Sequence, residues 1–157
     1  MEACRAKPHE HHPDAKGYVR AVESACRERG LRLTPLRREV LELVAGSGKP
    51  VKAYDLLDRL RDTHGNAAPP TVYRALDFLL GQGFIHKLES INAFVWCPHP
   101  TDDHQVPFLI CDECESAVEV CDDQVAELIA AQARRMGFRP RAQTLEVHGV
   151  CEHCRKH

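Results

Sequence analysis

The chain lacks any apolar run approaching the roughly 20 residues that a membrane-spanning helix requires. Its opening stretch, "ACRAKPHEHHPDAKG", has neither the hydrophobic segment nor the small-residue cleavage site of a secretion signal. Both absences argue against a membrane partner and lead us to expect a cytoplasmic protein. Catalytic metal signatures are missing as well: neither H-E-x-x-H nor H-x-E with P-C-x-x-C occurs. The near miss "HEHHP" puts Pro13 where the second histidine would stand. A zinc hydrolase or deaminase is therefore disfavoured, and we expect neither an enzyme nor a small organic substrate. Net charge is also small, −2 over 157 residues, but it conceals an uneven division. Residues 1–96 carry 15 basic against 12 acidic residues, whereas 97–157 carry 6 against 11. A positive half precedes a negative half.

With 43% hydrophobic and 28% charged residues, the composition fits one globular domain or two small ones. Residues 1–14 have no periodicity and read as a flexible tail. A helix follows, with Val19, Val22, Ala25 and Cys26 on one face and Gly30 as its C′ residue. A second helix starts at Thr34 as N-cap with Pro35 at N1, and its stripe is Leu36, Val40, Leu43 and Val44. Leu56, Leu57 and Leu60 mark a third helix. A fourth restarts after two prolines, buries Val72, Ala75, Leu76, Leu79 and Leu80, and ends at Gly81 and Gly83. The period then changes. "FIHKLES" and "AFVWC" are short, aromatic and β-branched, and predict a hairpin joined tightly at Ile91-Asn92. Helices followed by a two-stranded wing describe a winged helix-turn-helix over 15–96, with the helix before the wing presented to the DNA major groove. From 97 to 157 the pattern is β-β-α-β, with the helix over roughly 122–136 carrying Val125, Leu128 and Ile129. The expected class is α+β: a winged helix followed by a small α/β dimerisation domain. A sheet so small needs a staple, a partner, or both.

Eight cysteines in a chain without a secretion signal favour free thiols over a disulfide framework. Cys111, Cys114, Cys151 and Cys154 form C-x2-C-x36-C-x2-C, which brackets the second domain. Two such knuckles can wrap four thiolates around one tetrahedral ion, and zinc, redox-silent and content with four sulfurs, fits best. A closed site of this kind has no open position for Lewis-acid chemistry, so its role is structural, with an apparent binding energy of about 10–16 kcal/mol in small zinc modules. A second group of donors surrounds the junction: His86, Cys97, His99, His104 and Glu119. His148 and His153 are read as lying outside the ligand set, Cys4 as a tail thiol and Cys26 as a small core residue.

At this point the chain resembles the ferric uptake regulator family, and within it the zinc uptake regulator branch. The resemblance runs from about residue 18 onward, through "LTPLRREVLELV", "AYDLLDRLR", "PPTVYRALDFLLGQGFIHKLES", the Cys97 that follows, "FLICDEC" and "HGVCEHC". It implies a structural zinc on the two CxxC pairs and a regulatory zinc at the hinge on His86, Cys97, His104 and Glu119, hence two Zn2+ per chain. His99 is an alternative to His104, and Cys121, which shares a strand face with Glu119, is an alternative to that carboxylate. Iron-sensing members carry a richer histidine run where this chain has "CPHPTDDHQVPFLIC". One thiolate, one carboxylate and two neutral imidazoles together bring −2 to a +2 ion, and the soft sulfur favours zinc over iron(II).

The implied function is a zinc-responsive transcriptional regulator, mainly a repressor, that binds palindromic operator DNA as a homodimer and controls zinc homeostasis genes. The alternative is an iron-, other metal- or peroxide-responsive regulator of the same family. Arg74 is the candidate for bidentate contact with guanine. Tyr73 suits a phosphate or a thymine methyl group, and Thr71 is expected as the N-cap with its backbone near phosphate. Tyr54, Arg37, Arg38 and Lys52 are expected backbone anchors.

Overall fold

The computed structural model describes residues 14–65, 68–97, 107–120, 122–141 and 143–156. These fall into two compact units, whose described parts are 14–97 and 107–156.

In the first unit, α1 (Ala15–Glu28) buries Tyr18, Val19, Val22, Ala25 and Cys26 along one face. It stops where Gly30 adopts φ +66°, a left-handed conformation that costs glycine little. Helix α2 (Pro35–Ala45) begins as expected: Thr34 is the N-cap, and its hydroxyl oxygen accepts the Arg37 N–H at 3.4 Å. Leu36 and Leu43 of the expected stripe are only partly buried, while Leu41, outside that stripe, is fully buried. The reason is that α2 packs against α1, α3 (Ala53–His64), α4 (Pro69–Gly81) and the sheet, which widens its buried face beyond a single stripe.

Helix α4 corrects one expectation. Its N-cap is Ala68, so Pro69 and Pro70 lie in the first turn and Thr71 is a helical residue, not the cap. Proline lacks an N–H that the first turn would leave unused anyway, so the helix can start two residues earlier than the threonine suggests. The wing also differs in two ways. Strands β2 (Ile85–Leu88) and β3 (Ala93–Trp96) pair antiparallel with His86 opposite Val95. They are joined by a 3-10 turn over Glu89–Ile91 and by Asn92 at φ +46°, a longer connection than Ile91-Asn92 alone. A third strand, β1 (Val51–Lys52), pairs with β3, giving the order β1-β3-β2. Two residues are too few to display a strand period. Phe84, Leu41, Leu56, Leu60, Leu76 and Leu79 anchor the core, and full burial of each contributes about 1.5–3 kcal/mol.

The second unit follows the expected β-β-α-β order: β4 (Phe108–Cys111), β5 (Ala117–Glu119), α5 (Asp123–Arg135) and β6 (Glu146–Gly149). Strand β4 is central, antiparallel to β5 and parallel to β6. Asp122 caps α5 by accepting the Gln124 N–H at 2.9 Å. A terminal turn of helix, α6 (Glu152–Arg155), was not foreseen, being too short to show a period. The alternation along β4 sends Phe108 and Ile110 inward and leaves Leu109 at 47% exposure. Val147 on β6 and Leu128 and Ile129 on α5 are exposed too. Among the described residues, no helix is long and apolar enough to cross a membrane.

Candidate metal centres and nucleic-acid interface

The four cysteines of the two CxxC pairs converge. Cys111 ends β4, and the chain turns back at once: the Cys111 N–H donates to the Ser116 carbonyl at 2.9 Å and the Glu115 N–H to the Cys111 carbonyl at 3.0 Å. Glu115 accommodates the turn at φ +57°. The Asp112 N–H donates to the Gly149 carbonyl at 2.8 Å, which ties this knuckle to β6. Cys151 is the N-cap of α6 and Cys154 lies inside that helix, so one helical turn presents both thiols together. All four sulfurs lie within 4.8 Å of one another, and each cysteine is a free thiol.

This donor set fits a tetrahedral ion. Zinc–sulfur bonds of about 2.3 Å place tetrahedral sulfurs about 3.8 Å apart, and Cys114 Sγ lies 3.9 Å from Cys151 Sγ. Backbone N–H groups point at sulfur, as a thiolate requires: that of Cys151 reaches Cys111 Sγ at 3.3 Å. The amides of Cys114 and then Cys151 push the Cys111 thiol down to about 6. Cys154 is pushed up to about 12, first by its hydrogen bond with Cys151 and then by burial and the other sulfurs. Four clustered thiols thus resist full ionisation unless a cation joins them. Ser116 is a participant that sequence spacing did not single out, buried with its hydroxyl 3.1 Å from Cys114 Sγ. His148 bonds instead to Asp112, Nδ1 to Oδ1 at 2.8 Å, and His153 is exposed.

On the wing, His86 is half-buried on β2 and Cys97 fully buried just beyond β3. A ring nitrogen of His86 and the Cys97 sulfur lie within 4.8 Å, close enough to share one ion. In the second unit, Glu119 closes β5 opposite Phe108 and is only 7% exposed. A carboxylate is rarely that buried unless paired. His104 lies outside the described residues, as do His99, Cys121, Cys4 and the "HEHHP" cluster.

Helix α4 buries Val72, Ala75, Leu76 and Leu79, and so turns Thr71, Tyr73 and Arg74 outward. Tyr73 is 45% exposed, and Tyr54, in the first turn of α3, is 71% exposed. Lys52 is exposed beside it at the end of β1. Arg37 and Arg38 are more occupied than expected. Arg37 lies over the Phe78 ring at 3.7 Å and donates to the Arg32 carbonyl at 2.7 Å. Arg38 bonds to Glu42 at 2.8 Å and also to Glu23.

The first unit is thus a winged helix with an outward Tyr-Arg pair, and the second an α/β unit in which four thiols converge. Residues 28–148 match the model of the ferric uptake regulator family, and the chain belongs to that family. It is 47% identical over 136 residues to the zinc uptake regulation protein of Escherichia coli (strain K12), covering 85% of this chain and 78% of that protein. Among solved structures it is similar to holo XcZur, with 61% identity, a TM-score of 0.84 and coverage of 90% of this chain and 99% of that one. It is also similar to a zinc uptake regulator complexed with zinc and DNA, at 42% identity and a TM-score of 0.87, covering 92% and 97% of the two chains.

Proposed function

We propose that this protein is a zinc-responsive transcriptional regulator, mainly a repressor, that acts in the cytoplasm as a homodimer on palindromic operators of zinc homeostasis genes. The observation that carries the reading is the soft donor pair His86 and Cys97 on the wing directly behind α4, the helix that turns Tyr73 and Arg74 outward. The likeness to zinc uptake regulators, one of them complexed with zinc and DNA, supports it.

In this reading residues 15–96 bind DNA and 97–157 dimerise and hold metal. Cys111, Cys114, Cys151 and Cys154 take a structural zinc. His86, Cys97, His104 and Glu119 take a regulatory zinc, giving two ions per chain. When bound there, zinc supplies a cross-link among four ligands and cancels their −2 charge. Cys97 provides the thiolate, His86 a neutral imidazole, and Glu119 a carboxylate drawn from β5. Arg74 reads guanine through a two-bond contact worth about 1–3 kcal/mol of discrimination. Tyr73, Thr71, Tyr54 and Lys52 fix the register on the backbone, while Arg37 adds to the positive field and Arg38 is neutralised by Glu23 and Glu42 within its own unit. A palindrome needs two recognition helices about 34–36 Å apart or a multiple. The exposed Leu109, Val147 and Val150 around a cavity of about 340 Å³ suit the second unit to pairing with its own copy.

The test is Cys97→Ala. It removes the thiolate of the proposed regulatory site and spares the four structural cysteines, so the protein should fold, dimerise and keep its structural zinc. Zinc-dependent operator binding should vanish, measured as operator affinity with and without free zinc at fixed salt. A variant that keeps the full zinc response would place the regulatory ion elsewhere.

A further inference from the structure

Helix α1 reaches the wing at the carbonyl of Phe84. Tyr18, buried on α1, donates its hydroxyl to the backbone oxygen of Phe84. The Cys97 N–H donates to that same oxygen at 3.0 Å. Phe84 immediately precedes β2, which carries His86, and Cys97 immediately follows β3. The Tyr18 ring also packs against Trp96, with ring centroids 4.6 Å apart at 57°. At the far end of α1, Arg29 donates to the Gln82 carbonyl at 3.2 Å and lies over the Phe84 ring at 5.4 Å. The first helix therefore grips the open end of the hairpin, where both wing ligands stand.

We propose that Tyr18 is a positioning residue for the regulatory metal site: through the shared Phe84 carbonyl its hydroxyl fixes the Cys97 backbone beside His86. By the same link α1 registers whether the site is filled. The inference rests on the proposed function above. A carbonyl oxygen has two lone pairs and serves both donors at once. Removing the hydroxyl leaves the buried carbonyl bonded to the Cys97 amide, so no orphaned polar group results and the change is confined to placement. Metal sites keep their donors aimed through partners beyond the ligands; here the Phe84 carbonyl is the partner of the Cys97 amide, and Tyr18 holds that carbonyl in place.

The test uses the full-length protein with its structural zinc in place, titrated with zinc ion. Two signals are followed: operator binding and the emission of Trp96, the sole tryptophan of the chain. Tyr18→Phe should need about tenfold more free zinc to reach half-response in both signals, the size of effect seen when an outer partner of a metal ligand is lost. Operator affinity at saturating zinc should stay unchanged. An unaltered zinc midpoint overturns the proposal, as does a loss confined to melting temperature and saturated affinity, which a purely structural tyrosine would give. Cys97→Ser separates the two levels of the argument. If it keeps the zinc response, the proposed regulatory site itself falls; if it loses the response while Tyr18→Phe matches the wild type, only the role of Tyr18 falls. Should Tyr18→Phe not fold, amide hydrogen exchange on the wild type decides. Zinc should slow exchange around Tyr18 together with Cys97, and protection at Cys97 with none on α1 overturns the link.

Discussion

Cys111 and Cys154 belong to one cluster yet are pushed in opposite directions, and this sets how the staple responds to acid. Cys111, stabilised as a thiolate by the Cys114 and Cys151 amides, titrates at about 6 against an ordinary 9.0. Its contribution to folding is complete above 9.0 and disappears as pH falls through about 6. Cys154, held up at about 12 by its neighbours, contributes in the other sense, below 9.0, and loses that contribution only in strong alkali. In the metal-free cluster, acid sensitivity is therefore the property of Cys111. Because zinc must compete with protons for every sulfur, chelator-extracted zinc should rise as the pH falls. Zinc loss that does not depend on pH even in strong acid would mean that the sulfurs do not hold the ion. The cysteine spacing made this cluster legible in the sequence, because each CxxC is a local unit. Tyr18 was not legible: its partner Phe84 is 66 residues away, and a tyrosine at that point in an amphipathic helix reads only as core.

Among the elements, two threonines mark what sequence can and cannot reveal about a helix start. Thr34 precedes one proline and caps α2; Thr71 follows two prolines and does not cap α4. The same residue type carries both meanings, and only the position of proline within the first turn separates them. Thr34→Ala should destabilise the protein by about 1 kcal/mol, the usual cost of an N-cap. Thr71→Ala should leave the melting temperature almost unchanged and weaken operator binding, in keeping with a side chain that faces outward from α4. Thermal denaturation of both variants distinguishes the roles; equal destabilisation would return Thr71 to the capping position. The helices were legible because their apolar faces recur over three or more turns. Strand β1 was not, since its two residues pair with β3 across about forty residues of chain that no local pattern connects. Leu41 was missed for a related reason: a face widened by four neighbouring elements cannot be read from a single stripe.

At the scale of the whole molecule, charge and metal act on the same equilibrium. The surplus of basic residues lies in 1–96 and that of acidic residues in 97–157, so operator affinity should fall steeply with salt while the second half contributes no attraction. The α+β order could be anticipated from the change of period near Gly83, where helices give way to the wing, and from the β-β-α-β pattern bracketed by the cysteines. If zinc on His86, Cys97, His104 and Glu119 favours the DNA-binding form, thermodynamic linkage requires DNA to favour zinc by the same factor. A coupling of about 1–3 kcal/mol corresponds to a change of about 5- to 150-fold in either affinity. Operator affinity should therefore be measured with and without free zinc at fixed salt, and zinc affinity with and without saturating operator under the same conditions. The two ratios should agree, and both should collapse towards one in His86→Ala and Glu119→Ala. The double variant should lose little more than either alone, because both residues act on one ion. Unequal ratios in the wild type would show that zinc also acts elsewhere, for instance on assembly of the dimer. Additive losses in the double variant would show that His86 and Glu119 serve separate sites.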